Sequence, residues 1–210
     1  MIPTILVGLG GTGAEVLLRV RQLTEANYGD LKRFPILSFL WIDTDKNYRV
    51  NQSAARSLLQ DHEQLWATVK SHQGRDMLAD MHHYPWVESW FPKTLAQDIN
   101  TLETGAGQIR TYGRLAFFCH YLKIREKFNA AHNQIKGHED FMLDEHGIRV
   151  LSHAVNVFVV SSLSGGTGSG MIIDMAYCMR HWLQERESPV LTAITSLPNA
   201  FTSSEASDRS

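Results

Sequence analysis

Cysteine is scarce, with two residues in 210, and long apolar runs and excess charge of one sign are missing altogether. Cys119 and Cys178 stand apart in apolar helical patterns. The chain is therefore no disulfide scaffold, and both thiols read as small buried hydrophobes rather than nucleophiles. The longest apolar stretches, ILSFLWI (36–42) and AVNVFVV (154–160), are strand-sized. A transmembrane helix needs ~20 such residues, so no transmembrane segment is expected. Twenty Lys and Arg are scattered among 22 Asp and Glu, for a net charge of −2. No basic stripe points to nucleic acid. The opening MIPTILVGLGG lacks a basic n-region and a small-residue cleavage site, which places the expected location in the cytoplasm. The ten histidines form only chance neighbours (His62 beside Glu63, His82 beside His83, Asp144 to His146) with no HExxH spacing, so no transition-metal site is expected.

What is present suits one globular domain, since 43% of the residues are hydrophobic. Four short segments rich in Ile, Leu and Val (2–7, 36–42, 155–161 and 190–195) read as strands covered on both faces. Helical patterns alternate with them. Val16, Val20 and Leu23, with Leu17, form one apolar stripe, and Leu115, Phe118, Cys119 and Leu122 another; 171–183 is apolar on most of its circumference. This alternation predicts an α/β fold with a doubly wound parallel sheet and right-handed crossovers. Two stretches interrupt it. Residues 53–100 are helix-prone and aromatic, and are expected to be a helical insertion whose YPWVESWF run is satellite core. Residues 133–150 are polar and read as an exposed connection.

Each strand runs into a small, polar or glycine-rich segment: GLGGTG, DTD, SSLSGGTGSG and SLPNAFTSS. Parallel sheets bind ligands at the carboxyl ends of their strands, so these segments should share one crevice. Glycine-rich turns that open a helix let backbone N–H groups reach phosphate oxygens, and the helix start favours the anion. Gly8, Gly10, Gly11 and Gly13 supply one such turn. Gly165, Gly166 and Gly168 supply another, with hydroxyls from Ser164, Thr167 and Ser169 and a helix from about Ser169. No GK[ST] follows either, so neither is a P-loop. The first turn alone fits a dinucleotide fingerprint equally well.

SGGTGSG (164–170) resembles the signature loop of the tubulin/FtsZ superfamily at every position. VGLGGTGAEV resembles that family's glycine-rich first loop, WIDTD its second strand end, TGAGQIRTYGRLA (104–116) its γ-phosphate loop, and ITSLPNAF its proline loop. The AGQIRTYGRL wording resembles most the large prokaryotic tubulin-like proteins. The resemblance implies a Rossmann-like nucleotide-binding domain over 1–210, with GTP or GDP and Mg2+ as ligands. It implies phosphate contacts from Gly10, Gly11, Thr12 and Gly13 and from Gly165 to Ser169. Gly105, Ala106, Gly107 and Gln108 would lie near the γ-phosphate, Asp45 near magnesium, Arg114 near the ribose, and Pro198 beside the nucleotide. Asp43 stands where FtsZ has Asn, and Glu15 where FtsZ has the Asn that helps read guanine.

The resemblance further implies head-to-tail self-association into filaments with GTP hydrolysis at the joint. The sequence ends at Ser210, ahead of the family's central helix and acidic activating loop. It is therefore expected to be the N-terminal part of a longer protein, and no catalytic residue is identifiable in it. Two other readings stand beside this one. One is an NAD(P)- or FAD-binding oxidoreductase, with Asp43 or Asp45 on the ribose hydroxyls; the other is a nucleotide-dependent scaffold that does not hydrolyse.

Overall fold

A computed structural model describes residues 1–48, 59–96, 104–184 and 187–197. Among the described residues, five parallel strands form one sheet in the order β3-β2-β1-β4-β5. In chain order they are β1 (Thr4–Leu9), β2 (Leu37–Asp43), β3 (Gln64–Trp66), β4 (Ala154–Ser162) and β5 (Ser188–Ser196). Helices α1 (Gly10–Tyr28), α2 (Ser71–Ala79), α3 (Pro85–Glu88), α4 (Arg110–Gln134), α5 (Glu139–His146) and α6 (Gly166–Leu183) connect or flank them. The four expected strands are present. The fifth, β3, lies inside the stretch expected to be helical and pairs Trp41 with Gln64 through Asp43 with Trp66.

Strand alternation sends Ile5, Val7 and Leu9 to one face, where Tyr112, Leu115 and Phe128 of α4 and Met171 and Met175 of α6 cover them. Leu6, Phe39, Trp41 and Val160 point to the other face, under Ala14, Leu17 and Leu18 of α1. Val87 and Phe91 join the first of these cores, as expected for satellite packing, while Trp86 stays exposed. The 133–150 connection carries α5, whose Met142 is fully buried against Phe34 and Ile36.

Three expected apolar faces differ from the observed ones. In α1 the buried stripe is Ala14, Leu17, Leu18 and Arg21, and Val16 and Leu23 are exposed. The stripe is disguised because its fourth member is charged: Arg21 Nη1 and Nη2 donate to Glu63 Oε2 and Oε1 at 2.6 and 3.0 Å, and the guanidinium lies over the Phe39 ring. In α4, Leu115 is buried but Leu122 is exposed, and the buried face continues through Ile124, Phe128 and Ala131. Finally, β5 is not covered on both faces. Leu191 packs toward α6, whereas Val190 and Ile194 on the opposite side of this edge strand are half exposed.

Candidate functional site

At the carboxyl edge of the sheet, β1 passes directly into α1 at Gly10 and β4 reaches α6 within a few residues. Because β1 and β4 are adjacent, with Leu9 opposite Ser161, the two glycine segments meet. Gly10 has φ +72°, a backbone state that costs other residues strain. A Cβ there would lie 3.5 Å from Thr167 Cβ and 3.6 Å from Gly168 N, so the two GGTG copies are walls in mutual contact. The helix α6 starts at Gly166, three residues earlier than the sequence suggests, which puts Thr167, Gly168 and Ser169 in its first turn.

A third wall, the 105–109 loop, is bolted to the second. Gly166 N donates to Gly107 O at 2.7 Å, and a Cβ on Gly166 would meet Ala106 O and Gly107 O at 2.7 Å and Ile109 N at 2.9 Å. Behind them α4 and α6 cross through glycines. A Cβ on Gly113 would fall 2.1 Å from Gly166 O, and one on Gly170 would fall 2.3 Å from Arg110 O. Only a hydrogen in place of each side chain permits this approach, and it brings the start of α4 beside the start of α6.

Three helices therefore begin around one space. The first N–H groups of a helix have no intrahelical partner and carry the positive end of its dipole. None of the N-cap residues Leu9, Ile109 and Gly165 makes a side-chain cap, and the first turns of α1, α4 and α6 contain no acidic residue. Ser164 Oγ and Ser196 Oγ are also buried here without a hydrogen-bond partner. Gly165 and Gly107 face open space: nothing lies within 4 Å of a Cβ built on either. Such an edge, with uncapped helix starts, two unpartnered hydroxyls and open space at Gly165 and Gly107, fits a polyphosphate anion.

The other predicted positions take distinct places around it. Thr12 is half-buried on α1 and Gln108 is exposed on the third wall. Tyr48 lies across Gly11, where a Cβ would come within 2.6 Å of its ring, and its hydroxyl donates to Glu15 Oε1 at 3.0 Å. The Trp41 indole, edge-on to Tyr48, donates to Gly10 O at 3.1 Å. Asp45 packs against Gly105, with its Oδ1 accepting from Asn47 N. Among the described residues no group of three or more His, Cys, Asp or Glu side chains comes together to hold a metal. A single carboxylate fits magnesium held chiefly by phosphate oxygens, as that ion is commonly bound.

The family model described as "tubulin like" matches residues 5–210. The chain belongs to the tubulin-like family. No curated protein matches it. Among solved structures it is similar to CetZ2 from Haloferax volcanii, a GTPgS-bound protofilament, at 11% identity and TM-score 0.49 over 91% of this chain and 39% of that one. It is also similar to CetZ1 from Haloferax volcanii, a GDP-bound monomer, at 13% identity and TM-score 0.46 over 92% of this chain and 40% of that one. The chain thus spans about two fifths of the length of these structures.

Two predicted residues of this tubulin-like chain are turned to internal work. Arg114 donates from Nε and Nη2 to Asp174 at 2.8 and 3.1 Å, and its guanidinium stacks 4.5 Å from the Trp90 ring centroid, tying α4 to α6. Asp43 is buried; burial pushes its carboxyl up to about 6, against the lowering effect of N–H bonds from Asp45 and Thr44. Its Oδ1 accepts from Thr44 N at 2.7 Å and Asp45 N at 3.3 Å. The family match leaves the dehydrogenase reading without support. Pro198 lies outside the described residues. Sequence reasoning gave no individual role to Thr44, Tyr48, Gly113 or Ser196, whose places depend on contacts between distant segments.

Proposed function

We propose that this tubulin-like chain binds a guanine nucleotide, with the phosphates seated between the starts of α1 and α6 and the terminal phosphate under the Gly105–Gln108 loop. The observation that supports this most directly is the meeting of three uncapped, acid-free helix starts at one edge. In this reading Gly10 to Gly13 and Gly165 to Ser169 line the phosphates, with backbone donors from Gly165, Thr167 and Gly168 on the second segment, Ser164 adds its hydroxyl, and Glu15 with Tyr48 borders the base. Arg114, oriented by Asp174, keeps its Nη1 donors for the ribose.

Bound Mg2+ would neutralise charge on the phosphates, with Asp45 as the protein ligand. The complete protein would act in the cytoplasm and assemble head to tail, and GTP hydrolysis would belong to that assembly; we assign no catalytic residue in this chain. Titration with fluorescent GTP and GDP tests the reading. Saturable binding that NAD does not displace is expected, and displacement by NAD, or no binding, overturns it. Sustained phosphate release by assembled protein would separate a GTPase from a scaffold that only binds.

A further inference from the structure

The DTD segment after β2 contributes more to the interior of the site than to its surface. Thr44 is 1% exposed. Its Oγ1 accepts from Ala106 N at 2.9 Å and lies 2.6 Å from Thr167 Oγ1. Thr167 Oγ1 in turn donates to Asp43 Oδ1 at 3.4 Å. A hydroxyl has one proton to give. With Thr167 giving its proton to the Asp43 carboxylate, Thr44 donates to Thr167 and accepts from Ala106. The polarity runs from the Ala106 amide through Thr44 and Thr167 to Asp43, and each bond strengthens the next. The Thr44 carbonyl is held separately by Thr68 Oγ1 at 3.2 Å. One hydroxyl thus joins the 105–109 loop, the first turn of α6 and the end of β2.

We propose that Thr44 is a positioning residue: its hydroxyl holds the Gly105–Ile109 loop on α6 in the place where a terminal phosphate is distinguished from its absence. This rests on the nucleotide reading above. Valine at position 44 has the same shape but neither accepts from Ala106 nor donates to Thr167; serine does both. The loop stays bonded through Gly166 N and Gly107 O in every variant, so the loss of Thr44 loosens one side of it.

The test compares wild type, Thr44→Val and Thr44→Ser by two measurements. Hydrogen exchange without nucleotide should show the Ala106 amide exchanging about tenfold faster in Thr44→Val, the order that one buried hydrogen bond is worth, and restored in Thr44→Ser. Affinity for a non-hydrolysable GTP analogue should fall about tenfold relative to GDP in Thr44→Val alone. Unchanged exchange, or an unchanged ratio of the two affinities, overturns the assignment. If Thr44→Val does not fold, Thr44→Ala, which leaves room for water at the Ala106 amide, carries the same comparison. Wild-type protein that binds neither nucleotide refutes the functional reading and with it the discriminating role, while exchange at Ala106 still decides whether the clasp exists.

Discussion

Alanine at two glycines of this site should have opposite effects, and the contrast tests the assignment of walls and packing. Gly165 has φ −84° and ψ 158°, which any residue adopts, and nothing within 4 Å of an added Cβ. Gly165→Ala should leave the fold intact or stabilise it by about 0.4–1 kcal/mol, because alanine restricts the unfolded chain. The methyl meets only what enters the cradle. If phosphate sits there, the backbone can no longer come as close, and losing one charge-assisted hydrogen bond should weaken nucleotide binding about tenfold or more. Gly113 is the reverse case. Its added Cβ would lie 2.1 Å from Gly166 O and 3.1 Å from Thr167 Cα, all backbone, so no side chain can rotate away. Ordinary contact is roughly 3.5 Å, so α4 and α6 must separate. Overpacking of this kind costs about 2–3 kcal/mol. At about 2–4 °C per kcal/mol for a chain of this size, the melting midpoint should drop by about 4–12 °C. Thermal unfolding by circular dichroism and titration with fluorescent GTP read both effects. A destabilised Gly165→Ala, or one with undiminished affinity, would refute the argument that Gly165 faces a bound phosphate; an unaffected Gly113→Ala would refute the helix crossing.

Arg21→Met should cost about 3–5 kcal/mol in urea unfolding, since it strands a Glu63 carboxylate that is 4% exposed. The Arg21→Met, Glu63→Leu double variant should recover most of that loss, and a single-variant cost below about 1 kcal/mol would contradict the pairing. Glu187 should contribute its own pH-dependent part of the stability: burial alone would raise its carboxyl, but hydrogen bonds from Lys136 and His132 outweigh that and hold it below its usual value of 4.5. A depressed carboxyl stabilises the fold above pH 4.5 and loses that contribution as pH falls through its lower folded value. Melting curves should therefore place Glu187→Gln about 1–3 kcal/mol below wild type at neutral pH and converge with it in acid. Curves that stay parallel at every pH would exclude the linkage.

The sheet was legible because its strands announce themselves by composition. β1, β2, β4 and β5 are apolar runs bounded by glycine or polar residues, and all four appear within a few residues of their expected ends. The strand β3 has three residues, Gln64–Trp66, too few to show any periodicity, and only its pairing with β2 makes it a strand. In α1 the buried Arg21 broke the apolar stripe, and the true face could be seen only with its partner Glu63, 42 residues away in sequence. Hydrophobic patterning prices a charge as solvent-facing; a buried ion pair therefore misleads it whenever the second charge comes from another element.

At the candidate site the failure has a different cause, because glycine does two things with one signal. In SGGTGSG, the sequence suggests a cradle in which each glycine clears room for phosphate. The structure divides that work. Gly165 alone opens to space, whereas Gly166, Gly168 and Gly170 would each place a Cβ within 3.1 Å of backbone from the other walls or from α4. Most of the motif therefore serves to bring helix starts together, and the donors converge as a result. This follows from geometry: a helix start is a weak anion site alone, and helices can bring several starts around one phosphate chain only if their backbones approach closely. The packing glycines are thus a precondition for the helix starts to converge. It also explains why TGAGQIRTYGRLA belongs with the signature loop although they lie far apart in sequence. Gly113 on α4 and Gly166 on α6 are two sides of one contact, and neither could gain a side chain without moving the helix start of the other.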